Sequence, residues 1–156
     1  SRHKNINFVI LGTGDKSIES AFQSVAYKHA SNVACMLAYN ETMSHKIYAG
    51  ADFLLMPSRV EPCGLNQMFA MRYGTLPIVR TTGGLKDSVK DISEEGGVGI
   101  RFDHMNFDQM MHAIGRAYDM YQNKDFKNFC VKNAMALDYS WNASAQKYKD
   151  IYNSIM

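Results

Sequence analysis

Apolar residues recur along this chain at two alternating spacings. A nearly continuous run of β-forming residues at 5–11, NINFVIL, stops at GTGD, and such runs are typical of strands buried on both faces of a parallel sheet. Over 16–28 the spacing becomes that of an amphipathic helix, with Ile18, Phe22, Val25 and Ala26 on one face. A second strand is expected at 33–38. Asn40 is placed to cap a helix over 41–49, in which Met43 and Ile47 share a face and Gly50 supplies the stop. A third strand at 53–56 ends at Pro57. A short helix at 66–73 closed by Gly74 follows, then a fourth strand at 77–80. The glycine-rich 96–99 frames a short fifth strand at 98–102, after which the pattern is helical at 107–121, 125–137 and 141–155. The last of these makes 141–156 a C-terminal helical segment, with Tyr148, Ile151, Tyr152 and Ile155 on one face that suits core packing. No internal repeat, low-complexity tract or domain linker interrupts the series.

This alternation places the chain in the α/β class, as a Rossmann-like open parallel sheet with helices on both faces. Such sheets bind ligands at the carboxyl ends of their strands. Four loops lie at those ends: 12–15, 39–40, 57–65 and 81–85.

Composition narrows the reading. A length of 156 residues suits one domain with a substantial core. A net charge of +2, with the basic residues scattered, argues against nucleic-acid or membrane-surface partners. Three widely separated cysteines, Cys35, Cys63 and Cys130, fit neither a disulfide framework nor a paired-cysteine metal site, so a reducing cytoplasm is expected. The histidines at 3, 29, 45, 104 and 112 lack metal-ligand spacing, and no metal is expected. Met68, Met71, Met110 and Met111 recur near helical spacing and read as core filler. No apolar run approaches the roughly 18 residues of a membrane span. The opening SRHKNINFVILG is not a signal peptide and reads as a chain already under way, so a piece of a longer protein is expected.

The strongest chemical candidate is the loop PSRVEPCGLNQ. Pro62 biases Glu61 toward an extended conformation, and Gly64 permits a tight turn and close approach of a ligand to the main chain. Amides of Gly64, Leu65, Asn66 and Gln67 fall at the start of the next helix, where unpaired N–H groups favour phosphate. One loop thus serves an anion and supplies a carboxylate, which suits a sugar nucleotide: Glu61 accepts hydroxyl hydrogen bonds or stabilises charge developing at an anomeric carbon. Local physics gives equal weight to Glu61 as a helix cap or as the partner of Arg59.

The other loops carry weaker signals. GTGD lacks the third glycine of a dinucleotide fingerprint, with Ser17 in its place, and by itself favours a plain turn. Tyr39 by itself favours a half-buried packing role. TTGG at 81–84 divides equally between a turn and a ligand approach. Cys63 has no histidine near it in sequence to make it a nucleophile.

The segment GADFLLMPSRVEPCGLNQMFAMRYGTLPIVRTTGGLKDSV at 50–89, with LGTGD before it, YNETMSHKIYAGAD overlapping its start and YSWNASAQKYKDIY after it, resembles the bacterial glycogen synthases and plant starch synthases. The resemblance covers essentially the whole chain. These enzymes are retaining glucosyltransferases of the two-domain GT-B type, and the likeness is to their C-terminal, donor-binding half. It implies that Glu61 is the essential acid beside the donor glucose and that main-chain groups at Cys63 and Gly64 contact that glucose. By the same resemblance Leu65 and Asn66, with the adjacent Gln67 amide, hold the diphosphate, Tyr39 stacks on the base, and Gly14 lies where the chain passes close to the nucleotide. Asn66 and Asn40 are departures, standing where the family often has Thr and Asp.

The family's basic phosphate-gripping segment, the first strand that carries it and the acceptor-binding N-terminal domain have no counterpart in these residues. In the family strand order 3-2-1-4-5-6 the first strand is central. The resemblance implies transfer of glucose from ADP- or UDP-glucose, without a cofactor, to the non-reducing end of an α-1,4-glucan held by the N-terminal domain. Another retaining GT-B glycosyltransferase and a non-catalytic nucleotide-sugar-binding module are the alternatives, with a dinucleotide-dependent oxidoreductase a distant third. The isolated 156-residue chain is accordingly expected to give negligible transfer from a nucleotide-glucose to glycogen, and measurable turnover in that assay contradicts the expectation.

Overall fold

The computed structural model describes residues 6–155. Asn5 of the expected first strand, His3 and Met156 of the C-terminal segment lie outside the described residues. A boundary between Ile47 and Tyr48 divides the chain into two compact units.

The first unit contains β1 (Phe8–Leu11), α1 (Lys16–Lys28), β2 (Val33–Met36) and most of α2 (Glu41–Gly50). β1 and β2 pair in parallel, Phe8 opposite Val33 through Leu11 opposite Met36. Both helices start where the side chains dictate. Asp15 accepts from the amides of Ser17 and Ile18, and Asn40 accepts from the amide of Met43 at 2.8 Å, each satisfying N–H groups that a helix start leaves unpaired. Phe8 and Val9 are exposed, as are Ile18, Phe22 and Val25 of α1. The expectation that the first strand is buried on both faces is therefore corrected. A two-stranded sheet with one helix against β2 has too little mass to cover both of its faces.

The second unit is built on a three-stranded parallel sheet in the order β3-β4-β5, from β3 (Phe53–Met56), β4 (Leu76–Arg80) and β5 (Ile100–Phe102). β4 is central, and Leu76, Pro77, Ile78 and Val79 are all buried. Its unbroken apolar run is what a strand covered on both faces requires. Around the sheet lie α3 (Asn66–Arg72), α4 (Gly83–Ser88), α5 (Phe107–Gln122) and α6 (Lys124–Ala136), followed by α7 (Trp141–Ile155). Met56, Met71, Leu85, Val89, Cys130 and Ala134 belong to one buried cluster, and Ile78, Ile100, Phe102, Ala113 and Ala117 form the other. Gly74 ends α3 at φ 85°, and a side chain there would meet Val131 and Met135 of α6 at 3.3 Å. α4 occupies part of the expected loop at 81–85. No residue of α7 is buried: Tyr148, Ile151, Tyr152 and Ile155 are 57 to 74% exposed, so the expected core-facing stripe is not part of this unit's core. No helix among the described residues is long and apolar enough to cross a membrane.

One buried carboxylate ties the far end of the sheet together. Asp91 is 6% exposed and pairs with both terminal nitrogens of Arg116 on α5, at 2.5 and 3.2 Å. It also accepts from the Arg101 amide at 2.7 Å and from the Ser93 amide and hydroxyl at 2.9 and 2.7 Å. Burial pushes the Asp91 carboxyl up, but the Arg116 guanidinium, the two amides and the Ser93 hydroxyl outweigh it and hold the group well below the usual carboxylate range.

The unfolded chain therefore binds a proton at this carboxyl more readily than the folded one. Its stabilisation is complete above the ordinary aspartate value of about 4 and is lost as pH falls toward the depressed folded value. Asp91→Ala is expected to cost about 2 to 4 kcal/mol at pH 7 by leaving Arg116 unmatched. Urea midpoints at pH 7 and pH 3 should fall steeply for the wild type and much less for Asp91→Asn; equal pH slopes contradict the assignment.

Candidate functional site

The loop from β3 to α3 is held by its carbonyl groups. Arg80, at the end of β4, donates from Nε to the Ser58 carbonyl at 2.8 Å and from Nη2 to the Arg59 carbonyl. The Gly84 amide at the start of α4 is shared between the carbonyls of Glu61 and Pro62, at 3.2 and 3.1 Å. The Gln67 side chain donates from Nε2 to the carbonyls of Cys63 and Gly64, at 3.2 and 3.0 Å. Of the seven carbonyls from 58 to 64, six accept from donors among the described residues, Val60 being the exception there. The amides of Cys63, Gly64, Leu65, Asn66 and Gln67 donate to no acceptor among the described residues, and α3 starts without a side-chain cap. The loop thus spends its acceptors inward and keeps its donors available, the polarity that an anion or a sugar oxygen needs.

Glycines make this arrangement possible. A β-carbon on Gly83, at φ 44°, would fall 2.0 Å from the Glu61 carbonyl oxygen, and one on Gly84 would fall 2.1 Å from that of Cys63. The TTGG segment is thereby explained: two backbones meet at a distance that excludes any side chain. Gly64, at φ 74°, is required for a second reason, because a β-carbon there would lie 2.6 Å from Gln67 Oε1.

A buried hydrogen-bond chain underlies the loop. Gln67 is fully buried, and its Nε2 also donates to Ser88 Oγ at 3.0 Å, while the Ser88 hydroxyl donates to the Gly84 carbonyl at 2.6 Å. Tyr139 donates its hydroxyl to the Ser88 carbonyl at 2.8 Å, and burial pushes that phenol up, keeping it protonated as a donor. Gln67 Oε1 has no partner among the described residues. The whole residue is buried, so neither the side chain nor the amide of Gln67 is exposed to an anion in this structure.

The second unit brings Glu61, Cys63, Gly64, Leu65, Asn66 and Gln67 into this one loop. Glu61 is half-buried and accepts from Ser58 Oγ at 3.3 Å; no ion pair with Arg59 forms, nor does Glu61 cap α3. Cys63, Leu65 and Asn66 are exposed, Leu65 by 61%. On the first unit, Gly14 and Tyr39 lie in the loops after β1 and β2. The Gly14 amide donates to Glu19 Oε1 at 2.9 Å, while no atom lies within 4 Å of where its β-carbon would be. Tyr39 is 88% exposed, which corrects the half-buried packing role that its position alone favours. Sequence reasoning missed Arg80, Ser58 and Ser88. Arg80 and Ser88 act through the fold, whereas Ser58 acts on Glu61 three residues along the same loop. Among the described residues no cluster of His, Cys, Asp or Glu could hold a metal ion.

Comparison with known proteins agrees with the resemblance of the sequence. The family model described as glycosyl transferases group 1 matches residues 1–134. Glycogen synthase from Flavobacterium johnsoniae is 46% identical over 153 residues, 98% of this chain and 32% of that protein. The catalytic domain of starch synthase IV from Arabidopsis thaliana, solved bound to ADP and acarbose, superposes with a TM-score of 0.83 at 36% identity, covering 95% of this chain and 32% of that one. HepE from Anabaena, solved with UDP-glucose, shares the fold at a TM-score of 0.69 and 14% identity, over 85% of this chain and 36% of that one. The chain spans about a third of the length of the relatives it matches.

The glycine contacts generate a pair of contrasting expectations. Gly84→Ala should lower the thermal unfolding midpoint by several degrees, a loss of about 2 kcal/mol or more, because backbone must move on one side of the contact. Gly14→Ala, with open space at the new methyl, should change it by less than about 1 kcal/mol. Equal effects in differential scanning calorimetry contradict the close approach.

Proposed function

The chain belongs to the glycosyl transferases group 1 family, and from that premise we propose that it is the donor-binding part of a glycogen or starch synthase. In this reading residues 1–156 are a single nucleotide-sugar-binding domain of a longer enzyme. That enzyme moves glucose from ADP- or UDP-glucose to the end of an α-1,4-glucan with retention, in the cytoplasm and without a cofactor. The observation that carries the reading is the polarity of the loop at 58–64, whose carbonyls are held inward while the amides that follow Glu61 in the chain keep no protein acceptor among the described residues.

The chemistry follows from charge. The exposed amides of Leu65 and Asn66 bind diphosphate oxygens and favour the charge that builds on them as the glycosidic bond breaks, while buried Gln67 holds the turn in place. Main-chain groups at Cys63 and Gly64 hold the glucose. Glu61 accepts hydrogen bonds from its hydroxyls and stabilises the positive charge that develops at the anomeric carbon. For the first unit, Tyr39 offers an exposed ring for stacking on the base, and Gly14 allows close passage of the chain by the nucleotide. Those two roles rest on the family resemblance.

In the longer enzyme, Glu61→Gln is expected to lower glucan extension by about 100-fold or more, with the melting temperature unchanged. Calorimetric titration with ADP-glucose and UDP-glucose reports donor binding separately. Retained extension in Glu61→Gln contradicts the reading, and donor binding without extension in the wild type identifies a non-catalytic binding module instead.

A further inference from the structure

We infer that Arg80 is a positioning residue for Glu61, acting through Ser58. The inference rests on the donor-binding reading above and deepens it. Arg80 lies at the end of β4, the central strand, with its guanidinium turned to the neighbouring loop. It forms no ion pair among the described residues and uses two nitrogens of its fork on consecutive carbonyls, those of Ser58 and Arg59. Hydrogen bonds from a cation to carbonyl oxygens are stronger than neutral ones, and the planar fork fixes orientation as well as distance. Ser58, whose carbonyl Arg80 grips, donates its hydroxyl to Glu61 Oε2 at 3.3 Å. Two successive contacts therefore run from the most buried strand of the unit to the carboxylate. The Gly84 amide fixes the Glu61 carbonyl from the other side.

The contacts divide the loop between two holders. Arg80 governs 58–61, which carries the carboxylate, whereas Gln67 governs Cys63 and Gly64, next to the amides assigned to the diphosphate. A defect at Arg80 consequently belongs to the chemical step and should leave donor affinity nearly intact, since displacement of a catalytic group by about 1 Å can cost about 100-fold in rate. A lysine at this position keeps the charge but places its donors on a single nitrogen without the planar fork, enough to hold one of the two carbonyls in place.

The test is steady-state kinetics on the longer enzyme with a nucleotide-glucose donor. Arg80→Met should lower kcat by about 10- to 100-fold with donor KM changed less than about 3-fold. Arg80→Lys should recover part of the loss, and Ser58→Ala should lower kcat by about 3- to 10-fold. If Arg80→Met does not fold, Arg80→Lys and Ser58→Ala carry the test, and full kcat in both overturns the inference. A rise in KM at unchanged kcat overturns it too. Glu61→Gln measured alongside separates the two levels: its full activity removes the donor-site reading itself, whereas its loss together with normal kcat in Arg80→Met and Ser58→Ala removes the role of Arg80 alone.

Discussion

Everything proposed for this chain depends on which way the peptide groups of one loop point. Backbone polar groups must be matched or solvated, and an unmatched buried one costs about 1 to 3 kcal/mol. The second unit meets that demand by directing donors from β4, α3 and α4 at the loop carbonyls. The amides of the following turn are left without protein acceptors. A ligand with several oxygens is the natural complement of such a surface, and a carboxylate next to it suits a ligand that carries hydroxyls and develops positive charge.

The rest of the unit makes those donors rigid. Buried β4 fixes Arg80, and α4 lies close enough to the loop for the Gly84 amide to reach because Gly83 and Gly84 carry no side chain. Gln67 is locked by Ser88, and Tyr139 secures Ser88 from a segment 51 residues further along the chain. Asp91 and Arg116 join β5 to α5 at the other end of the sheet. The functional loop is therefore positioned by packed helices and strands, the arrangement that holds a site within the tolerances chemistry requires.

Local signals in the sequence were read correctly where the physics is local. The strand and helix alternation, the Asn40 cap and the Gly74 stop all follow from neighbours within a few residues, and the structure contains them. TTGGL hid α4, because paired glycines usually mark a turn and their need for close backbone contact appears only when the 61–63 segment is in place. The arginines near Glu61 in the sequence show charge but not geometry: Arg80 serves carbonyls instead of the acid, and Arg72 reaches the Met135 carbonyl on another helix. The apolar stripes of α1 and α7 are exposed in the structure, since periodicity reports that a face is apolar and not what covers it. For the site, the loop and its acid were visible in the sequence. Arg80 and Ser88, which help to hold them, were not, because they act across separations of 22 and 21 residues.

Amide hydrogen exchange, read residue by residue on the longer enzyme with and without saturating nucleotide-glucose, tests the central claim most directly. The account predicts fast exchange at Cys63, Gly64, Leu65 and Asn66 in the free protein and marked slowing at these amides when donor binds, with β4 protected throughout. Donor binding that leaves the exchange of these four amides unchanged would contradict it.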